Sequence, residues 1–158
     1  MTLSRGRGCE RSERVRGIAE VRVSYDLAVF DPEVAPRERD EFIEWYKAQT
    51  DWIQGQRHND PAITSPRLRA WFFDMIQEFP PLNGPHKKRA PEGMPEADYS
   101  LNTWLIYMAF WSHKTAAHDA VSRLAMKHHV GFFHASYPTE VWWPDPAGKL
   151  VMAHRYSP

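Results

Sequence analysis

Eight histidines are the side chains in this sequence with the widest chemical scope. His113 and His118 are five residues apart on one predicted helix, which turns them about 140° from each other, so one metal ion cannot readily take both. His128 and His129 come at the end of that helix, and His134 lies on the next predicted strand. A zinc site needs three or four converging ligands. The spacing therefore favours His128 and His129 as cations at a helix C-terminus over a metal site.

Other patterns of catalysis are missing from the sequence. The chain has no G-x-x-x-x-G-K or G-x-G-x-x-G loop for phosphates and no G-x-S-x-G nucleophile turn. Its one cysteine, Cys9, lies in a polar leader with nothing to lower its pKa. We therefore predict no catalytic residue, no cofactor and no metal, and a protein that is not an enzyme. An enzyme would need polar residues such as His113, His134 and Asp98 to converge.

The most distinctive charge pattern is an acidic stretch between residues 26 and 51. Eight acids oppose three bases there, for a net charge of −5. The acids are Asp26, Asp31, Glu33, Glu38, Asp40, Glu41, Glu44 and Asp51. Such a surface steers a basic partner toward its site, although an ordinary solvated helix face has the same composition. Exposed tryptophans could supply anchors. The predicted partner-binding residues are Glu38, Glu41, Glu44, Trp45, Asp51, Trp142 and Trp143.

Length and composition are those of one globular domain. The chain has 158 residues, 42% hydrophobic and 25% charged, with seven tryptophans. A single cysteine excludes an internal disulfide and suits the reducing cytoplasm. No apolar run approaches the roughly 20 residues that span a membrane. Residues 1–22 carry a net charge of +3 and residues 23–158 one of −3, which argues against direct binding to nucleic acid.

Three segments are expected along the chain. Residues 1–22 have few apolar residues and no period, and they predict a disordered basic leader. A GTG start codon at Val23 would leave this leader untranslated. Residues 23–144 form the predicted single domain, and residues 145–158 a C-terminal tail.

Periodicity within the domain predicts strands and helices in a definite order. Tyr25, Leu27 and Val29 alternate as in a strand, and helical spacing follows over residues 36–53. A second helix begins at Ser65-Pro66 and ends before Pro80. Residues 80–98 are a long loop rich in Pro and Gly, and a small-molecule pocket between this loop and the sheet is an alternative function.

The second half of the domain is predicted to contain two strands, a helix and two more strands. The strands occupy residues 99–102 and 103–110, and the helix is capped by Ser112 and stopped by Gly131. Residues 130–136 and 141–143 are the last strands. This order predicts an α+β fold of the ferredoxin-like, split βαβ type. We expect an antiparallel sheet with its helices on one face and an extra helix in the first crossover.

Five short segments resemble a known family. They are the Ser24–Phe30 strand, Phe79-Pro80, Leu105–Ser112, His129–Phe133 and Val141–Pro144. Together they resemble a family of small uncharacterised bacterial proteins that look like immunity proteins of polymorphic toxin systems, over about residues 24–144. The resemblance implies a cytoplasmic, non-catalytic inhibitor that binds a cognate toxin domain and occludes its active site. The acidic helix would make the main contact, with the 80–98 loop, Trp142 and Trp143 as secondary contacts.

Overall fold

A computed structural model describes residues 24–55, 59–82, 84–87 and 95–157. The predicted leader lies outside the described residues, as do Lys88 and Arg89 of the long loop. Within the described residues the strands are β1 (Tyr25–Phe30), β2 (Ala97–Leu101), β3 (Leu105–Phe110), β4 (Gly131–His134), β5 (Thr139–Pro144) and β6 (Leu150–Tyr156). The helices are α1 (Arg39–Gly55), α2 (Pro66–Glu78) and α3 (Lys114–His128), with a 3-10 turn at Pro61–Ile63.

The strands form one antiparallel sheet in the order β2-β3-β1-β4-β5-β6. The α+β class is therefore confirmed. The predicted ferredoxin-like arrangement is not, because the order of the six strands is not that of a ferredoxin-like sheet. Part of the difference comes from residues 150–156, which were predicted to belong to a tail. These residues form β6, which pairs with β5 along its length.

Helices cover both faces of the sheet, so the prediction that they share one face is wrong. Leu27 and Val29 of β1 belong to a core cluster with α2 and α3. Ala28 and Phe30, which point the other way, belong to a second cluster with Phe42 of α1. Consecutive side chains of a strand point to opposite faces, and residues 27–30 are all buried. A central strand of this kind needs a layer on each side.

The α2–α3 layer follows the predicted pattern closely. α2 begins at Pro66 and buries the stripe Leu68, Trp71, Phe72, Met75 and Ile76. Its outer side is joined to α3 by Asp74, whose Oδ2 lies 2.7 Å from both Lys127 Nζ and His128 Nε2. These two donors lower the pKa of Asp74. His128 thus contacts a carboxylate on a neighbouring helix, in addition to lying at the helix end that the sequence predicted.

Both ends of α3 are set by histidines in the left-handed conformation. His113 (φ 58°) precedes the helix and His129 (φ 54°) follows it. The predicted caps, Ser112 and Gly131, are therefore each displaced: Ser112 Oγ contacts His113 Nδ1 at 2.8 Å, and Gly131 begins β4. A left-handed residue directly after a helix is the usual way to end it, and here His129 fills that position.

The position of α1 depends on a close approach between β1 and β4. Phe30 pairs with Gly131 across the strands, and its ring lies directly over the glycine. The same ring contacts Phe42 of α1 edge-on, with the centroids 5.0 Å apart. Only glycine leaves room for an aromatic ring at this height above a neighbouring strand. Gly131 thereby fixes the distance between the sheet and α1.

The two edges of the sheet differ. At β2, residues 80–82 cover part of the edge. Ala97 N donates to Pro80 O, and Leu82 N donates to Ala97 O. At β6, Arg39 donates to the carbonyl of Arg155 near the C-terminal end of the strand. No helix in the described part of the chain has both the length and the apolar character needed to cross a bilayer.

Candidate functional site

The structure brings three of the predicted acids together on α1. Glu41, Glu44 and Asp51 are exposed, and their positions on the helix fall within about 80° of one another. Glu44 has Lys47 as a neighbour at 3.6 Å. Such exposed pairs contribute little and leave most of the negative potential in place. The outer face of α1 therefore presents an acidic row to solvent, which we call the α1 acidic face (Glu41, Glu44 and Asp51).

Glu38 has a structural role that its place in the sequence did not indicate. Its carboxylate accepts hydrogen bonds from the amides of Asp40 and Glu41, at 2.9 and 2.8 Å. These bonds to the first-turn amides lower the pKa of Glu38. α1 accordingly begins at Arg39 and not near Pro36, because a side-chain acceptor at residue 38 satisfies the free amides. Glu38 is exposed, but it is committed to the start of the helix.

Three of the eight acids in the acidic stretch do not add to a free acidic surface. Asp31 is buried and accepts a hydrogen bond from the amide of Glu33. Asp26 has a buried carboxylate oxygen, and an interaction with it, second to burial, raises the pKa of Tyr107. Glu33 is paired with Arg67 at 2.8 Å. The net charge of the stretch thus overstates what a partner would meet.

The predicted tryptophan anchors do not form one surface. Trp45 is half-buried against Phe30 and Phe42, next to the α1 acidic face. Trp143 is buried in the same layer, whereas Trp142 packs on the opposite face against the α2–α3 core. Adjacent residues of a strand cannot point to one side. A partner on α1 would therefore reach Trp45 but not Trp142, and the side chain of Trp52 lies outside the described residues.

A second group of polar side chains surrounds His134, which is buried. Its Nδ1 lies 2.7 Å from Pro138 O and 3.0 Å from Ser136 O, so in the neutral ring this nitrogen carries the proton and donates. Nε2 then accepts from the Tyr25 hydroxyl at 2.8 Å. Both ring nitrogens are used, so His134 holds the ends of β1 and β4 together.

His118 lies beside this pair and faces a shallow cavity. Its ring centroid is 5.7 Å from that of His134. Burial, followed by the neighbouring His134, lowers the pKa of His118, while burial raises the pKa of Tyr25 to about 12. Tyr25, Lys114, Thr115 and His118 line a cavity of about 240 Å³. Tyr25 stays protonated at neutral pH and already donates to His134, so it is not a base.

Two of the polar residues named for an enzyme, His134 and Asp98, do not converge. His134 pairs with Leu27, whereas Asp98 pairs with Ala109, which in turn pairs with Asp26. His134 is therefore level with Leu27 of β1, and Asp98 is level with Asp26. Because Asp26 and Leu27 are consecutive residues of one strand, His134 and Asp98 point to opposite faces of the sheet. Among the described residues no three His, Cys, Asp or Glu side chains are grouped closely enough to hold a metal ion.

A third feature was not foreseen from the sequence. The guanidinium carbon of Arg37 lies 4.8 Å from the ring centroid of Trp143. The two residues line both of two adjoining cavities near the turn that joins β5 to β6. They are far apart in sequence, and no spacing rule connects them. The run Trp142-Trp143-Pro144-Asp145-Pro146 was the only local signal that a rigid, aromatic wall is present.

Comparisons with known proteins add no assignment. No protein-family model matches the chain, no curated protein matches it, and no solved structure matches it.

Proposed function

We propose that this protein is an immunity protein that binds a basic bacterial toxin domain and occludes its active site. The observation that carries the proposal is the α1 acidic face, whose three acids lie together, exposed, on one side of a helix. Together with the resemblance in the strands, this favours a non-catalytic binding protein. An immunity protein of this type would act in the cytoplasm, on a toxin that enters or is made there.

The layer beneath α1 suits an interface because aromatic side chains pack against one another in it. Phe42 contacts Phe30, Phe133 and Trp143 at centroid distances of 5.0, 5.7 and 5.9 Å. Trp45 extends this aromatic group toward the surface. Tryptophan is a frequent anchor at the centre of protein interfaces. We therefore expect Trp45 to be the apolar centre of the interface and the acids its rim.

The α1 acidic face predicts a basic binding surface on the toxin. Toxins that act on nucleic acids or nucleotides have basic clefts, and an acidic inhibitor surface is complementary to such a cleft. Exposed charges mainly raise the association rate, and the effect weakens as salt screens it. Binding should accordingly be fastest at low ionic strength.

The test begins with tagged full-length protein, isolated from its native host at low salt and read by mass spectrometry. The proposal expects one stoichiometric partner that contains a toxin domain. Recovery of the protein alone, from cells shown to express its genomic neighbours, would overturn the proposal.

Two double variants then locate the surface. E41K/E44K should slow association with the isolated toxin domain at least about tenfold at low salt. The control, D119K/E78K, makes the same change in charge at two exposed acids that lie outside α1 and outside the 80–98 loop. Equal slowing by both variants would point to overall charge and would contradict a site on α1. Glu38 is left intact in these variants because its loss would disturb the helix start.

A further inference from the structure

The two cavities beside Trp143 share part of their lining and form one groove. They measure about 280 and 380 Å³, close to the lower limit for small-molecule sites, about 300–1,000 Å³. Both are lined by the same five residues: Arg37, Trp143, Pro144, Asp145 and Pro146. We call this the Arg37 groove. No residue of the α1 acidic face lines either cavity, so a ligand in this groove does not depend on the proposed function.

Arg37 is the cation that this groove leaves uncommitted. Its guanidinium carbon lies over the Trp143 ring, and no hydrogen bond or ion pair joins the guanidinium to any other described residue. Arg67, at the other end of the groove, already donates to Glu33 at 2.8 Å and to the carbonyl of His129 at 3.1 Å. Stacking fixes the plane of a guanidinium while its edge N–H groups remain able to bind a carboxylate in a bidentate manner.

The walls of the groove are apolar and stiff. Pro144 and Pro146 line both cavities, and Val151 and Ala153 of β6 line the larger one. Val151 is exposed, although it is a β-branched apolar residue in a strand. A ligand that covers these side chains removes apolar surface from water, which favours binding. The shape thus provides for an apolar body next to the guanidinium.

Acidic residues in the same groove limit the charge of a ligand. Asp145 and Glu33 line it alongside Arg37 and Arg67. The carboxylate of Asp145 accepts hydrogen bonds from the amides of Ala147 and Lys149, both at 2.9 Å, and these bonds hold it in place. Beside these carboxylates, Arg37 can neutralise one negative charge of a ligand, and a second negative charge would be repelled.

We propose that the Arg37 groove binds a small organic monocarboxylate. Its carboxylate pairs with the Arg37 guanidinium, and its apolar body lies against Pro144, Pro146 and Val151. The ligand is a compact molecule with one acid group, since Arg37 is the one arginine without an ion pair among the described residues that line the groove, and the groove is small.

Nuclear magnetic resonance of the full chain tests the proposal with three probes of similar size or charge. Benzoate has both a negative charge and an apolar body. Benzamide lacks the charge, and inorganic phosphate lacks the apolar body. We expect benzoate to shift the Arg37 Nε–H and Trp143 indole N–H signals saturably, with a Kd of roughly 1 mM for so small a probe. Benzamide should bind at least about tenfold more weakly, and phosphate should shift neither signal.

Two single variants separate the groove from general charge effects. R37Q should weaken benzoate binding at least about tenfold. R155Q is the matched control, because Arg155 is an exposed cation on β6 that is paired with Glu140 at 2.6 Å. Equal binding of benzoate and benzamide, unchanged benzoate binding in R37Q, equal loss in R155Q, or the absence of a saturable shift would each overturn the proposal. Binding of phosphate in place of benzoate would do so as well.

Discussion

Replacing Gly131 by alanine tests how α1 is held above the sheet. A methyl group built on Gly131 would lie 2.1 Å from Cζ of Phe30 and 2.2 and 2.6 Å from its two Cε atoms. The ring cannot simply turn aside, because it is fully buried and contacts Phe42 at 5.0 Å and Trp143 at 4.9 Å between centroids. Either the strands separate or the aromatic group repacks.

The expected cost comes from comparing three effects. Alanine is favoured over glycine in a strand by about 0.5–1 kcal/mol. Overpacking a core costs about 1–3 kcal/mol, and complete expulsion of the ring would cost about 3–5 kcal/mol. At the middle of these ranges the steric costs exceed the gain, so G131A should lower the free energy of unfolding by about 1–3 kcal/mol. For a domain of this size the melting temperature should fall by about 3–10 °C.

A double-mutant cycle gives the decisive measurement. F30L removes the Cζ and Cε atoms that clash and keeps an apolar side chain. Urea unfolding, followed by tryptophan fluorescence, should show that G131A costs less than about 1 kcal/mol in the F30L background. A cost within about 0.5 kcal/mol of zero in the wild-type background, or an equal cost in both backgrounds, would refute the steric account.

Three further predictions concern titrating groups. The pKa of Tyr25 is raised to about 12, so its contribution to stability is complete below pH 10 and is lost as pH rises from about 10 to 12; unfolding of Y25F should be less sensitive to pH over that range. The pKa of Asp74 is lowered, so its contribution is present above about pH 4 and is lost in more acidic solution; thermal melts of D74N should lack that acid-dependent loss. E38A should melt at a lower temperature than the wild type at neutral pH, because two amides lose their acceptor. The control E33A should change the melting temperature less, because it removes only an exposed ion pair.

Local sequence rules predicted the elements that carry their own signals. The stripe of α2 and its start at Ser65-Pro66 are local features, and the helix begins at Pro66 and buries that stripe. The start of α1 was placed too early because Pro36 is a familiar first residue. The hydrogen bonds that Glu38 makes to two amides decide the actual start.

The errors in the fold have a common physical cause, which is long-range pairing. β6 was missed because an edge strand buries little. None of its seven residues is fully buried, and it shows no clean alternation. The second helix layer was missed although residues 27–30 of β1 are all apolar, a pattern of a strand covered twice.

The candidate site could be predicted only in part. The α1 acidic face follows from helical spacing alone. The separation of Trp142 from Trp143 also follows from strand alternation, once both are placed in β5. The Arg37–Trp143 contact depends on how the segment before α1 crosses the β5–β6 turn, and nothing in the sequence records that crossing.

The two faces of the sheet differ in how many buried residues pack against them, and this difference affects local unfolding. Among the described residues, 21 are buried in the α2–α3 core and 8 in the α1 core. Local opening follows the least-packed cooperative unit. Amides of α1 should therefore exchange with deuterium through a partial opening that leaves α2 and α3 folded. A partner bound to α1 would suppress that opening first, which makes α1 both the exposed binding surface and the part of the molecule most stabilised by binding.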